Sequence, residues 1–251
     1  MTIIIYKNKK LMKYKSIFIS DVHLGFKHCS AEKLLKFLKE TEAERYYLIG
    51  DIIDGWCMKK KIHWPQDHNN IVQYFLKLSR KDHQVIYVTG NHDEFLRDYS
   101  GTVVGNIQIV DEAIHWGEGG KGYIVIHGDQ FDIITMNAKW VTKIGSWAYD
   151  IMISLNANLQ WLFRHIGLNG FSLSAWAKHN VKEAVNFIGD YENIVADYAI
   201  KRHADGIICG HIHHANIKKI NGITYMNTGD WVESCTAIVE HLDGRFEIIR
   251  K

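Results

Sequence analysis

Apolar residues along this chain fall into two kinds of run. Five are short and continuous: residues 16–20 (SIFIS), 46–49 (YYLI), 84–89 (QVIYVT), 123–126 (YIVI) and 206–209 (GIIC). Unbroken runs of this length predict strands covered on both faces. Between the first two, Leu34, Leu35 and Leu38 recur at helical spacing within residues 31–44, and a similar stripe marks residues 70–78. Both predict amphipathic helices, and strand alternating with helix predicts a layered α/β architecture. The C-terminal part has another pattern. Residues 223–227, 236–241 and 245–249 read as successive strands, with Asp243-Gly244 as a hairpin turn.

The alternation stops between Phe131 and Arg202. This stretch holds Trp140, Trp147, Trp161 and Trp176, half of the chain's eight tryptophans, and almost no strand signal. At about 70 residues it is far longer than a connection between strands requires. With breaks expected at Gly145, Gly167, Gly170 and Gly189, it reads as several short helices forming a cap insertion over residues 131–202. The core is then 12–130 with 203–251.

Composition narrows the class. The 251 residues are 47% hydrophobic, ordinary for a globular protein, and a net charge of +2 does not by itself point to a nucleic-acid partner; none is expected. Cys29, Cys57, Cys209 and Cys235 form no CxxC pair and read as reduced thiols of a cytoplasmic protein. No apolar run approaches the roughly 18 residues of a spanning helix. Residues 1–15 carry Ile3–Ile5 and then many lysines, the wrong order for a signal peptide, and Met12 stands beside Met1 as a candidate start.

The chemistry lies where the strands stop. The five runs lead into Asp21-Val22-His23, Gly50-Asp51-Ile52-Ile53-Asp54, Gly90-Asn91-His92-Asp93, His127-Gly128-Asp129 and Gly210-His211-Ile212-His213. Carboxyl ends of strands in an open α/β sheet lie along one edge, where ligands bind. Any one of these tails is ordinary turn chemistry; five in order point to a shared metal site. Carboxylate and imidazole ligands favour Mn, Fe or Zn. On an extended backbone, Asp21 and His23 would share a face, as would His211 and His213. Glycines before Asp51, Asn91 and His211 would permit sharp turns.

This series of motifs resembles the calcineurin-like metallophosphoesterase superfamily over about residues 17–240. The resemblance implies a four-layer α/β/β/α sandwich and two divalent transition-metal ions, Mn first, with Fe or Zn as alternatives. It places Asp21, His23 and His213 on one ion and Asn91, His127 and His211 on the other, with Asp51 between them. Length and cap position resemble the UDP-2,3-diacylglucosamine pyrophosphatase group of lipid A synthesis, which typically carries Gly-Asn-Arg-Asp where this chain has His92.

The expected activity is metal-dependent hydrolysis of a phosphoester or phosphoanhydride. His92 is expected to protonate the leaving oxygen, with Asp93 orienting it and near the substrate. Lys178 and Lys182, one turn apart, are expected to face phosphate. The expected substrate is a nucleotide- or lipid-linked phosphate such as UDP-2,3-diacylglucosamine, met at the inner face of a membrane by a cytoplasmic, peripherally attached enzyme. The rivals are a phosphodiesterase or phosphomonoesterase for a soluble nucleotide and a non-catalytic scaffold. The remaining histidines, His115 among them, read as surface or supporting groups.

Overall fold

The computed structural model describes residues 11–81, 83–132 and 173–251, with side chains of the last segment described from Val185 onward. Twelve strands occur among the described residues: β1 (Met12–Ile19), β2 (Thr41–Ile49), β3 (Gln84–Val88), β4 (Val103–Val104), β5 (Ile107–Val110), β6 (Glu112–Trp116), β7 (Gly122–Ile126), β8 (Gly206–Cys209), β9 (Asn216–Ile220), β10 (Ile223–Asn227), β11 (Thr236–Glu240) and β12 (Phe246–Arg250). Four α-helices accompany them among the described residues: α1 (Ala31–Glu40), α2 (Gly55–Lys60), α3 (Gln66–Leu78) and α4 (Leu173–Lys201).

The strands form two mixed sheets. Sheet 1 has the order β12-β11-β1-β2-β3-β5-β4 and sheet 2 the order β6-β7-β8-β10-β9. In sheet 1, β1, β2, β3 and β5 run parallel. In sheet 2, β7, β8 and β10 do. The continuous apolar runs are explained by cover on both faces of sheet 1. Ile17, Ile19, Tyr46, Leu48, Val85 and Tyr87 pack with Leu34, Phe37 and Leu38 of α1 and Ile71 and Phe75 of α3. Their alternates Phe18, Tyr47, Ile49, Ile86 and Val88 pack against Val125, Ile208 and Met226 of sheet 2. The helix expected over 31–44 stops at Glu40, because residues from Thr41 join β2 and pair with Met12, Lys13 and Tyr14.

Two expectations change. Residues 223–227 are a strand, but of sheet 2, parallel to β8; the C-terminal hairpin β11–β12 belongs to sheet 1. Its neighbour β9 was not read from the sequence, although Asn221-Gly222, which joins β9 to β10 with both residues left-handed (φ 48° and 91°), is the pair a tight hairpin turn favours. His115 is not a surface group. It is wholly buried between the sheets, with Nδ1 3.1 Å from Tyr47 Oη and Nε2 3.0 Å from Glu240 Oε2.

The chain divides into two compact units, Met1–Asp129 with Val195–Lys251, and Gln130–Ile194. In the second, α4 runs unbroken through Gly189, where a helix break was expected. One glycine costs a helix about 1 kcal/mol relative to alanine, too little to interrupt 29 residues. Gly145, Gly167 and Gly170 lie outside the described residues.

Candidate metal centre

The tails of β1, β2, β3, β7 and β8 converge, and all the candidate ligands among the described residues belong to the first unit. Two clusters of potential ligand atoms form, Asp21 with His23 and His213, and Asp51 with His127 and His211; a third group, His23, Asp54 and His92, adjoins the first. Asn91 presents a buried Oδ1 that accepts no hydrogen bond.

Backbone geometry differs from the extended pattern expected. Five of the seven candidate ligands have left-handed φ: Asp21 (50°), His23 (55°), Asp51 (53°), His211 (71°) and His213 (54°). Non-glycine residues pay roughly 1–3 kcal/mol each for such conformations, which persist where surrounding structure overdetermines them. Here the tails are bonded to one another: Asp21 N donates to Gly50 O at 3.1 Å, His23 N to Asp51 O at 2.9 Å and Gly210 N to His127 O at 3.1 Å. The pairs Asp21/His23 and His211/His213 are thus brought inward by kinks rather than by strand alternation.

The glycines act mainly through close approach. Gly50 is left-handed (φ 67°) and lies under the His127 ring, but Gly90 is not left-handed. A Cβ on Gly90 would sit 2.5 Å from Asp51 N. Gly90→Ala is therefore expected to displace Asp51, costing about 1–3 kcal/mol of stability and roughly 10–100-fold in metal affinity. Thermal unfolding and calorimetric titration with Mn²⁺ check both.

Supporting contacts select one atom of four of the candidate ligands, His23, His127, Asp21 and Asp51, for the centre. Asp54 is ionised, its pKa held far below the usual carboxylate range by His23 and His92 against the opposing effect of burial. It can only accept, so His23 Nδ1, 3.1 Å from Asp54 Oδ2, carries the hydrogen and Nε2 keeps its lone pair. Likewise His127 Nδ1 donates to Ile49 O at 3.0 Å. Asp21 Oδ2 accepts from His211 N at 3.0 Å and from Ser20 Oγ. Asp51 Oδ1 accepts from His92 N at 2.8 Å. What is left over, Asp21 Oδ1, His23 Nε2, His127 Nε2 and Asn91 Oδ1, is buried without a hydrogen bond. Buried polar atoms rarely remain so. Asp51 Oδ2 is central: it lies 3.3 Å from His127 Nε2, 3.9 Å from His23 Nε2 and 4.0 Å from His92 Nε2.

Electrostatics agree with a demand for cations. Burial resists charge throughout, yet Asp51 and Asp21 push His127 up to about 10, and Asp21 pushes His213 up to about 9. His211, buried and beside His127, falls to about 3. The carboxylates require positive charge opposite them. An oxygen and imidazole donor set with aligned lone pairs fits borderline divalent ions.

His92 stands apart from both clusters. Its Nδ1 lies 3.1 Å from Asp54 Oδ1, and its ring meets His23 edge-on at 4.7 Å. Burial opposes its charging, but the adjacent Asp54 carboxylate and the Asp51 charge raise its pKa. Asp93, expected to orient it, does not: Asp93 is wholly buried, with Oδ1 accepting from Gly90 N at 2.6 Å and Oδ2 from Ile52 N at 2.9 Å and Tyr87 Oη at 2.5 Å. It braces the turn, and Asp54 takes the orienting place. Lys178 and Lys182 lie on α4, but their side chains are outside the described residues. Sequence reasoning missed Trp56, whose indole covers the His92 ring at 4.2 Å, and Ser20 behind Asp21.

Two mixed sheets whose parallel strand ends pool carboxylates and imidazoles around Asp51 present the candidate metal centre of a hydrolase of phosphorus esters and anhydrides. The chain belongs to the calcineurin-like phosphoesterase family, whose pattern matches residues 14–215. Among individual relatives, it is 26% identical over 244 residues to UDP-2,3-diacylglucosamine hydrolase of Neisseria gonorrhoeae, covering 91% of this chain and 94% of that one. It is 25% identical over 213 residues to the Blochmanniella pennsylvanica protein of the same name, covering 81% of each. A Porphyromonas gingivalis protein, also so named, is 28% identical over 126 residues, 47% of each.

Proposed function

We propose that this protein holds two divalent ions, Mn²⁺ foremost, and hydrolyses the phosphoanhydride of UDP-2,3-diacylglucosamine or a similar lipid-linked nucleotide. The observation that carries the two-ion reading is Asp51 Oδ2, one oxygen within 4 Å of imidazole nitrogens from both clusters. Asp21, His23 and His213 would hold one ion, Asn91, His127 and His211 the other, and Asp51 would serve both. When bound, such ions supply a water of lowered pKa and positive charge for the phosphoryl oxygens. The remaining work falls to the chain. Asp54 aligns His92 with Nε2 facing the centre. As water oxygen bonds to phosphorus and the P–O bond to the leaving group breaks, His92 Nε2 gives the leaving oxygen its proton. Each half of the substrate departs as a monophosphate.

Support for the lipid-linked substrate comes from the relatives' names and from the composition of residues 131–202, which we propose as an apolar cap able to receive acyl chains. The proposed place of action, the cytoplasmic face of a membrane, draws support from the exposed apolar residues Trp56 (42% exposed) and Phe95 (45%) beside the His92 turn, and from exposed Ile62 (72%) next to the basic Lys59–Lys61 run. No helix among the described residues is long and apolar enough to cross a membrane.

The test compares kcat/KM for UDP-2,3-diacylglucosamine and its deacylated counterpart in mixed micelles. Three buried methylenes at about 0.8 kcal/mol each correspond to a preference of roughly 50-fold for the acylated molecule. Equal values would favour a soluble nucleotide as substrate.

A further inference from the structure

The Trp56 indole lies over the His92 imidazole with ring centroids 4.2 Å apart and planes 33° from parallel. Nothing in the ligand set or in the proton transfer requires a tryptophan here, and the side chain is 42% exposed. We infer that Trp56 is a positioning residue: its indole confines the His92 ring to the one orientation that turns Nε2 toward the centre. The inference rests on the reading of His92 as the proton donor.

His92 is partly exposed, and its ring is anchored at one point, the 3.1 Å approach of Nδ1 to Asp54 Oδ1. A single anchor leaves the ring plane free to tilt, because torsion about the second side-chain bond of histidine is broad. Two further contacts remove that freedom. His23 meets the ring edge-on, with planes 90° apart, and Trp56 covers its face. With Nδ1 held and the plane defined, Nε2 is directed to within 4.0 Å of Asp51 Oδ2.

Trp56 can do this because its own backbone is tied to the same turn. Asp54 Oδ1 accepts from Cys57 N at 2.7 Å, opening the helix that carries the indole. Gly55 N donates to His92 O at 3.0 Å, bonding the two turns main chain to main chain. Gly55 leaves no room for a side chain: a Cβ would lie 2.8 Å from His92 O and 3.2 Å from the Phe95 ring. The indole also donates from Nε1 to Glu94 Oε1 at 3.4 Å. Asp54 thus aligns His92 directly and also seats the helix whose tryptophan covers it.

The experiment compares Trp56→Ala, Trp56→Phe, His92→Ala and the Trp56→Ala/His92→Ala double variant as full-length, Mn-loaded proteins on diphenyl phosphate. Its poor leaving group needs a proton, and it requires no assumption about the natural substrate. Misplacing a catalytic group slightly can cost up to about 100-fold, so Trp56→Ala is expected to lower kcat by roughly 10–100-fold with KM little changed. Trp56→Phe, which keeps an aromatic face, should recover most of that loss. In the His92→Ala background, removing Trp56 should change nothing further. Independently of activity, in the same proteins loaded with diamagnetic Zn²⁺ instead of Mn²⁺, the His92 ring proton signals, shifted upfield by the indole and identified by their loss in His92→Ala, should move downfield in Trp56→Ala. Wild-type kcat in Trp56→Ala, a change confined to KM, additive losses in the double variant, or unmoved His92 signals would each overturn the positioning role while leaving His92 as donor. Wild-type kcat in His92→Ala would overturn both readings.

Discussion

Asp51→Ala is expected to remove both ions and with them roughly 10³-fold or more of turnover, since metal ions supply several kcal/mol of transition-state stabilisation and each 1.4 kcal/mol is tenfold. The reasoning is geometric. Asp51 Oδ1 is committed to the His92 amide, so Oδ2 alone faces the centre, and atoms of both clusters approach it. Losing a peripheral ligand such as His213, which is partly exposed, would weaken one cluster; losing Asp51 weakens both. Elemental analysis should find two ions per wild-type chain and fewer than one in the variant. Melting temperature gives a second measure. Ligands that bind only the folded state stabilise it in proportion to the logarithm of their excess over Kd. Added Mn²⁺ should raise the wild-type Tm and leave that of Asp51→Ala nearly unchanged. A variant that keeps one firmly bound ion would show that Asp51 does not serve both.

His92→Ala should lower turnover by roughly 10²–10⁴-fold, the usual range for a general acid, while metal content stays at the wild-type level. The two outcomes are separable because His92 contributes no atom to either ligand cluster; its neighbours in the structure are Asp54 and the rings of His23 and Trp56. The loss should depend on the leaving group. A p-nitrophenyl ester departs without protonation and should suffer little, whereas an alkyl or sugar phosphate should suffer fully. Equal losses on both would assign His92 to binding rather than proton transfer. Loss of metal together with activity would mean that the adjoining group His23, Asp54 and His92 acts as one structural unit.

Much of this site could be read from the chain alone. Burial on both faces of sheet 1 leaves a mark that short windows detect, because a strand between a helix layer and a second sheet has no polar positions to spare; Phe18 and Ile19 face opposite cores and both are wholly buried. Strand ends carrying Asp, Asn and His stand out against such runs, and glycines beside them signal crowding. The strands that went unread lack this contrast. β6 alternates charged, apolar and aromatic residues because it is an edge strand of sheet 2, and β4 is two exposed valines at an edge of sheet 1.

What a linear pattern determines is which side chains exist and in what order they leave the strands. That was enough to propose Asp21, His23, Asp51, Asn91, His127, His211 and His213 as one set. Tertiary structure decided which atom of Asp21, His23, Asp51 and His127 faces inward. The left-handed kinks at five of these residues are held by bonds from one tail to another, such as Asp21 N to Gly50 O and Gly210 N to His127 O. It also decided that Asp54 rather than Asp93 aligns His92, because the turn after β3 points Asp93 down onto Tyr87 and Ile52 while the start of α2 holds Asp54 beside the rings. Partners such as His211 and Asp21 are 190 residues apart in the chain and joined by a hydrogen bond. No local periodicity records a contact of that kind, because it depends on where two backbones meet rather than on what either segment prefers by itself.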